Sequence, residues 1–134
     1  MEITTSIHQA DKPIAIMRIK GDINATNFME VVTKAQEIYR DIAHDLIIDL
    51  SEVPGISSTG LVAVHQIALL YSGVPQRIET DGTEVRPDFT HSSSARRHVK
   101  LLSPQPEVDK TLESAGMKLF FKIFGDLESA IKSF

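Results

Sequence analysis

The run from Leu46 to Leu61 constrains this chain more than any other, because it changes character twice in a short span. Leu46, Ile47 and Ile48 supply the aliphatic and β-branched bulk that suits a sheet, and Pro54-Gly55 then breaks the run, since that pair continues neither regular element. Beyond the break, Leu61, Val64, Ala68 and Tyr71 fall on one helical face, with Val62, Ile67, Leu69 and Leu70 widening it. The pattern predicts a strand, a turn, and a helix from Ser58 or Thr59 to about Tyr71. Ser57, Ser58 and Thr59 crowd the start of that helix, where unpaired N–H groups and a partial positive charge favour side-chain oxygens and anions. One Ser or Thr cap stabilises a helix by about 1 kcal/mol and accounts for one of the hydroxyls. Capping is the first reading of the cluster, and it leaves hydroxyls to spare.

The flanking segments extend the alternation of strand and helix. Glu2 to His8 and Pro13 to Ile19 read as strands joined by an Asp11-Lys12-Pro13 turn, a hairpin whose second strand is apolar on both faces until Arg18 and so belongs inside a sheet. Gly21-Asp22-Ile23-Asn24 ends that strand. Phe28, Val31, Val32, Ala35, Ile38, Tyr39 and Ile42 form a helical stripe, with Asn27 and Glu30 resembling a capping box and Asn24 or Thr26 as other candidate caps. This helix should cover one sheet face, and the more apolar helix after Ser57 should be packed more deeply. From Ser72 to His98 no period persists, which in a compact domain marks a functional or mobile segment; Gln76–Glu79 and Thr83–Val85 could form a small hairpin around Asp81-Gly82. Val99 to Leu102 is a short strand, and Glu107 to Ala115 a helix with Val108, Leu112 and Ala115 inward and Gly116 as C-cap. Leu119 to Phe124 supplies a strand or buried turn, and Asp126 caps a last helix with Leu127, Ala130, Ile131 and Phe134 facing the core. The order implies an α/β domain with a mixed sheet and right-handed crossovers.

Composition excludes several classes of function. At 134 residues the chain is sized for a single domain, and its formal charge of -4, without a basic stripe, argues against nucleic-acid binding. The absence of cysteine removes disulfides, thiolate zinc ligands and thiol nucleophiles and fits a reducing cytosol. No run approaches the roughly 20 apolar residues of a membrane span, and the N-terminus lacks the continuous apolar core of a signal peptide, so a cytoplasmic location is expected. The motif Ile56-Ser57-Ser58-Thr59-Gly60 lacks the glycine that a nucleophile elbow needs two positions before its serine, and His65, about two turns along the same helix, is badly placed as a base toward Ser58. Gly55 and Gly60 enclose no phosphate loop, and His8, His44, His65, His91 and His98 show no zinc-site spacing. His91 and His98 around Arg96-Arg97 could hold an anion, but solvated loop side chains are the simpler reading.

Taken together, Asp49-Leu50-Ser51, Ile56-Ser57-Ser58-Thr59-Gly60-Leu61, Gly21-Asp22-Ile23-Asn24, Leu102-Ser103-Pro104, Leu112-Glu113-Ser114-Ala115-Gly116-Met117 and Asp126-Leu127-Glu128-Ser129-Ala130-Ile131 resemble, in order, the STAS domain of sulfate transporters and anti-sigma factor antagonists. The chain is most similar to the free-standing bacterial antagonists. The resemblance implies a single STAS domain over residues 1–134 with an irregular insertion at about 72–98, built on a mixed four- to five-stranded sheet with about four helices mainly on one face. It implies a non-enzymatic regulator of transcription working by partner switching, with Ser58 as phosphoacceptor and Ser57 and Thr59 as the neighbouring alternatives. Asn24, Ser57, Thr59, Gly60 and Leu61 would form the partner interface, with Gly60 leaving room for approach. The implied partners are an anti-sigma factor that is also a serine kinase of the histidine-kinase-like ATPase type, and a PP2C-type phosphatase; neither nucleic acid nor membrane is implied. The antagonist has no cofactor of its own, ATP being used by the kinase. Ser57 and Asn24 stand where many antagonists carry Asp, which keeps open a scaffold or ligand-sensing STAS module that is not phosphorylated.

Overall fold

The computed structural model describes residues 1–9, 12–71, 98–117 and 121–134. Its elements follow the order β1 (Glu2–Gln9), β2 (Pro13–Lys20), α1 (Phe28–Asp41), β3 (Asp45–Glu52), α2 (Ser58–Tyr71), β4 (Val99–Leu102), α3 (Pro106–Ser114), β5 (Lys122–Phe124) and α4 (Leu127–Lys132). The strands form one five-stranded sheet in sequence order. β1 and β2 make the expected antiparallel hairpin, paired from Glu2 with Lys20 to Gln9 with Pro13, while β2–β3, β3–β4 and β4–β5 are parallel. Parallel neighbours need a crossover, and α1, α2 and α3 lie within the three connections. The proposed hairpin at Gln76–Glu79 and Thr83–Val85 lies outside the described residues.

Alternation along the strands divides the side chains between two faces. Ala15, Met17 and Ile19 of β2, Leu46, Ile48 and Leu50 of β3, and Val99 and Leu101 of β4 join Val31, Ala35 and Ile38 of α1, Val64, Ile67 and Ala68 of α2, and Val108 and Leu112 of α3 in the main core. Ile14, Ile16, Ile47 and Leu102 point the other way and meet Ala130 of α4, with Phe124 and Ile131 beside them. Among the described residues, three helices on one face and a short fourth on the other realise the expected architecture. α1 and α2 are tied by Tyr71, whose hydroxyl donates to the carbonyl of Ala35 at 2.9 Å and whose ring meets Tyr39 edge-on at 5.0 Å. Burial raises the Tyr71 pKa well above its ordinary value.

Several side chains depart from the expected faces. Ile42, just past α1, is 39% exposed; Leu127 and Phe134, expected in the core, are 38% and 36% exposed, and Ala115 is exposed. Helices as short as α3 and α4 have too few turns to fix a face from periodicity alone. Charges also enter the sheet. Asp49, 3% exposed, takes the Nε–H of Arg18 at 3.0 Å from the paired position on β2 and accepts from the Ser51 amide through its other oxygen at 3.0 Å. Asp45 is buried with an oxygen 2.8 Å from Nδ1 of His98, so that histidine is paired instead of sitting freely on a loop. Such buried carboxylates persist because each is hydrogen-bonded.

Candidate functional site

β2 and β3 run parallel, so the loops leaving their C-terminal ends lie side by side. Lys20 is followed by Gly21, whose φ of +109° favours glycine and whose amide donates to the carbonyl of Glu52 at 3.0 Å. Beyond it, Ile23 and Ile56 form an isolated parallel bridge: the Ile23 amide donates to Gly55 O at 3.2 Å, and the Ser57 amide to Ile23 O at 2.9 Å. The first loop is knitted by its two asparagines. Asn24 Oδ1 accepts from the amide of Thr26 at 3.0 Å and from its hydroxyl at 2.6 Å, while Asn27 accepts from the Asn24 amide at 2.9 Å and donates to Asp22 O at 2.8 Å. Asn27 occupies the N-cap of α1, yet its side chain makes no capping bond, so the expected capping box with Glu30 does not form. The side chain is turned back to hold the loop instead.

The second loop delivers the hydroxyl cluster. Ser57 accepts the amide of Gly60 on its Oγ at 3.2 Å and the amide of Leu61 on its carbonyl at 2.9 Å, which makes it the N-cap of α2. Ser58 is the first helical residue; its side chain is exposed, whereas Thr59 and Leu61 are half-buried. Among the described residues the Ser58 hydroxyl has no hydrogen-bond partner. One of the hydroxyls is thus taken by the cap, and its neighbour is offered to solvent at the positive end of α2.

Gly60 departs from expectation. It is buried, and a Cβ there would stand 2.7 Å from both Ile23 O and Ile56 Cγ1. Its missing side chain therefore admits the first loop of the same chain, where a partner's approach was expected. Val62 also departs, being 48% exposed where the apolar pattern placed it on the buried face. It lies one turn along α2 from Ser58, and Met29 in the first turn of α1 is 52% exposed. The structure thus brings Asn24, Ser57, Ser58, Thr59 and Leu61 to one end of the sheet and adds apolar Val62 to their helix. Asp22 was overlooked: it is exposed, and its Oδ1 lies 3.2 Å from where a Gly55 Cβ would stand, so a carboxylate borders the turn despite Asn24 and Ser57. The signal for Val62 was present in its four-residue spacing from Ser58; that for Asp22 was not, because it depends on how the loops meet.

Among the described residues this arrangement assembles no nucleophile with a base. His65 is half-buried on α2, and burial pushes its pKa below the ordinary value. Among the described residues no group of three or more His, Asp or Glu could hold a metal ion, and no helix is long and apolar enough to cross a membrane.

The family model of the STAS domain matches residues 6–73, just over half of the chain and inclusive of both loops. No curated protein sequence matches it. Among solved structures, the chain is similar to an anti-sigma factor antagonist from Mycobacterium paratuberculosis, with a TM-score of 0.67 at 17% identity over 98% of this chain and 93% of that one. It is also similar to the anti-sigma factor antagonist SpoIIAA in its unphosphorylated form, at TM-score 0.58, 12% identity and coverage of 96% and 94%. The Bacillus cell fate determinant SpoIIAA in the phosphorylated form gives TM-score 0.55 at 13% identity, covering 96% of this chain and 97% of that one. At such identities these likenesses speak for the fold. With the family model over residues 6–73, they show that the chain belongs to the STAS domain family and shares the fold of the anti-sigma factor antagonists.

Proposed function

We propose that this chain is an anti-sigma factor antagonist of a cytoplasmic partner-switching system, and that Ser58 is its phosphoacceptor. The observation that carries the reading is the division of labour at the start of α2: Ser57 is committed to the cap, and Ser58 stands exposed beside it with its hydroxyl unbonded among the described residues. SpoIIAA, which shares the fold, is known in both unphosphorylated and phosphorylated forms. The partner is an anti-sigma factor that is also a serine kinase of the histidine-kinase-like ATPase type and supplies the ATP; a PP2C-type phosphatase restores the hydroxyl. The antagonist itself catalyses nothing. In the unmodified state it holds the anti-sigma factor and so frees the sigma factor.

Phosphorylation adds about -1.5 to -2 charges at pH 7. At a helix N-terminus that charge is stabilised by about 0.3–1 kcal/mol, so the fold tolerates it. Across an interface, an unpaired charge or a lost buried partner costs about 2–5 kcal/mol, roughly thirty-fold to several thousand-fold in affinity. The switch therefore acts on the surface with the fold kept. Incubation with the kinase and ATP followed by mass-spectrometric mapping should place one phosphate on Ser58. An active kinase that leaves residues 57 to 59 unlabelled would sink the phosphoacceptor assignment.

Asn24 and Ser57, where many antagonists carry Asp, favour a second reading as an unphosphorylated scaffold or ligand-sensing module. Normal partner binding by both Ser58→Ala and Ser58→Glu would select it.

A further inference from the structure

The two edges of the sheet are guarded differently. β5 is three residues long, and a short edge offers little to an incoming strand. β1 is eight residues long, is paired with β2 at every position without a bulge, and contains neither Lys nor Pro. Apart from half-buried Ile3 and Thr5 its residues are exposed. With no other strand among the described residues paired to it, an edge without a bulge and with little charge presents backbone N–H and C=O groups ready to pair with another strand.

We propose that β1 pairs antiparallel with β1 of a second copy of this chain about a two-fold axis at Thr5, joining the two sheets into one. The side chains set the register, because residues directly opposite in an antiparallel pair project to the same face. Centred on Thr5, the pairing places Ile3 against the second copy's Ile7, Thr4 against its Ser6, and Glu2 against its His8. Each match uses something the single chain leaves open. Ile7, 47% exposed, gains an apolar neighbour in Ile3. The Oγ1 of Thr5 is the buried side-chain atom without a hydrogen-bond partner among the described residues. Opposite its own copy, a turn of about 120° around χ1 lets the two hydroxyls bond each other, a pairing that stabilises neighbouring strands. At each end a carboxylate meets an imidazole, twice by symmetry. Other centres lose these matches: at Thr4, Ile3 faces Thr5 and Glu2 faces Ser6; at Ser6, Ile7 faces Thr5 and Glu2 no longer faces His8. About six to eight main-chain hydrogen bonds close across residues 2–8.

β1 lies beyond β2 from β3, so the pairing leaves the Ser58 end of both copies free and does not rest on the proposed switching role. Sedimentation equilibrium of the full chain is expected to give twice the monomer mass of 14.8 kDa, and Ile7→Lys to return it to the monomer with an unchanged circular dichroism spectrum. Because the sequence has no cysteine, a single introduced thiol reports its own surroundings. With a short bis-maleimide, Thr5→Cys is expected to yield a covalent dimer at least tenfold faster than Lys132→Cys on exposed α4. A monomer at every attainable concentration overturns the proposal. So does a dimer that survives Ile7→Lys and cross-links no faster through residue 5 than through residue 132.

Discussion

Ser57 and Ser58 carry the same hydroxyl one residue apart, and the geometry of a helix start gives them opposite roles. Ser57 Oγ closes the first turn by accepting from Gly60, while the side chain of Ser58 is exposed to solvent. Ser57→Ala is therefore expected to lower stability by about 1 kcal/mol. Ser58→Ala should stay within about 0.5 kcal/mol of the parent, since an exposed side chain without partners stabilises little. Urea midpoints of the two variants check the contrast. Gly60→Ala tests the fit between the loops: helix propensity would gain up to ~1 kcal/mol, but a methyl 2.7 Å from Ile23 O and Ile56 Cγ1 overpacks the contact by about 1–3 kcal/mol. A net loss of stability, read by the same unfolding curves, is the expected outcome. At this scale the helix start and its cap were legible, because hydroxyls before an apolar period have a local meaning. The role of Gly60 was not, since it depends on Ile23, which only the fold brings near. Asn27 was misjudged for a related reason: its side chain had a local cap available and took a loop carbonyl instead.

Among the elements, those with a long period were readable almost to the residue. α1 and α2 carry apolar stripes over several turns, and β2 and β3 carry enough aliphatic bulk to mark central strands. α4 is legible mainly through its cap, Asp126, whose Oδ1 accepts from the Ser129 amide at 3.0 Å; the Ser129 side chain first, and then that amide, lower the Asp126 pKa. The buried carboxylates of Asp45 and Asp49 carried no sequence signal, because their partners His98 and Arg18 are brought to them by the sheet. α2 also gives a prediction in pH. Burial depresses the His65 pKa from its ordinary 6.5, so the folded chain holds that proton less tightly than the unfolded one. Between the two values the unfolded state binds more protons and stability rises with pH. The His65 contribution is thus present above about pH 6.5 and lost as pH falls through the folded value. Chemical denaturation between pH 7.5 and 5.5 should show part of this decline, and His65→Gln should flatten it; an equal slope in both proteins would contradict the assignment.

For the molecule as a whole, the exposed Ser58 side chain stands outside the main core, although Ile23 beside it belongs to that core and Ile56 and Leu61 pack against it. Ser58 lies outside the cluster that joins α1, α2 and α3 to the sheet, so charge placed there meets water and the helix start before it meets packed side chains. A chain phosphorylated at Ser58 is expected to keep its circular dichroism spectrum and to unfold within about 1 kcal/mol of the unmodified protein. Loss of cooperative unfolding on phosphorylation would place the switch in the fold instead of the surface. The Ile23–Ile56 bridge reaches further still. It positions the two loops through main-chain atoms, which substitutions at Asn24, Ser57 or Asp22 other than to proline leave in place. Side chains around Ser58 are therefore free to diverge on a frame that does not move with them. A genome holding several such chains could keep their signalling circuits insulated from one another by rewriting a few surface residues, each copy retaining the same presentation of its serine.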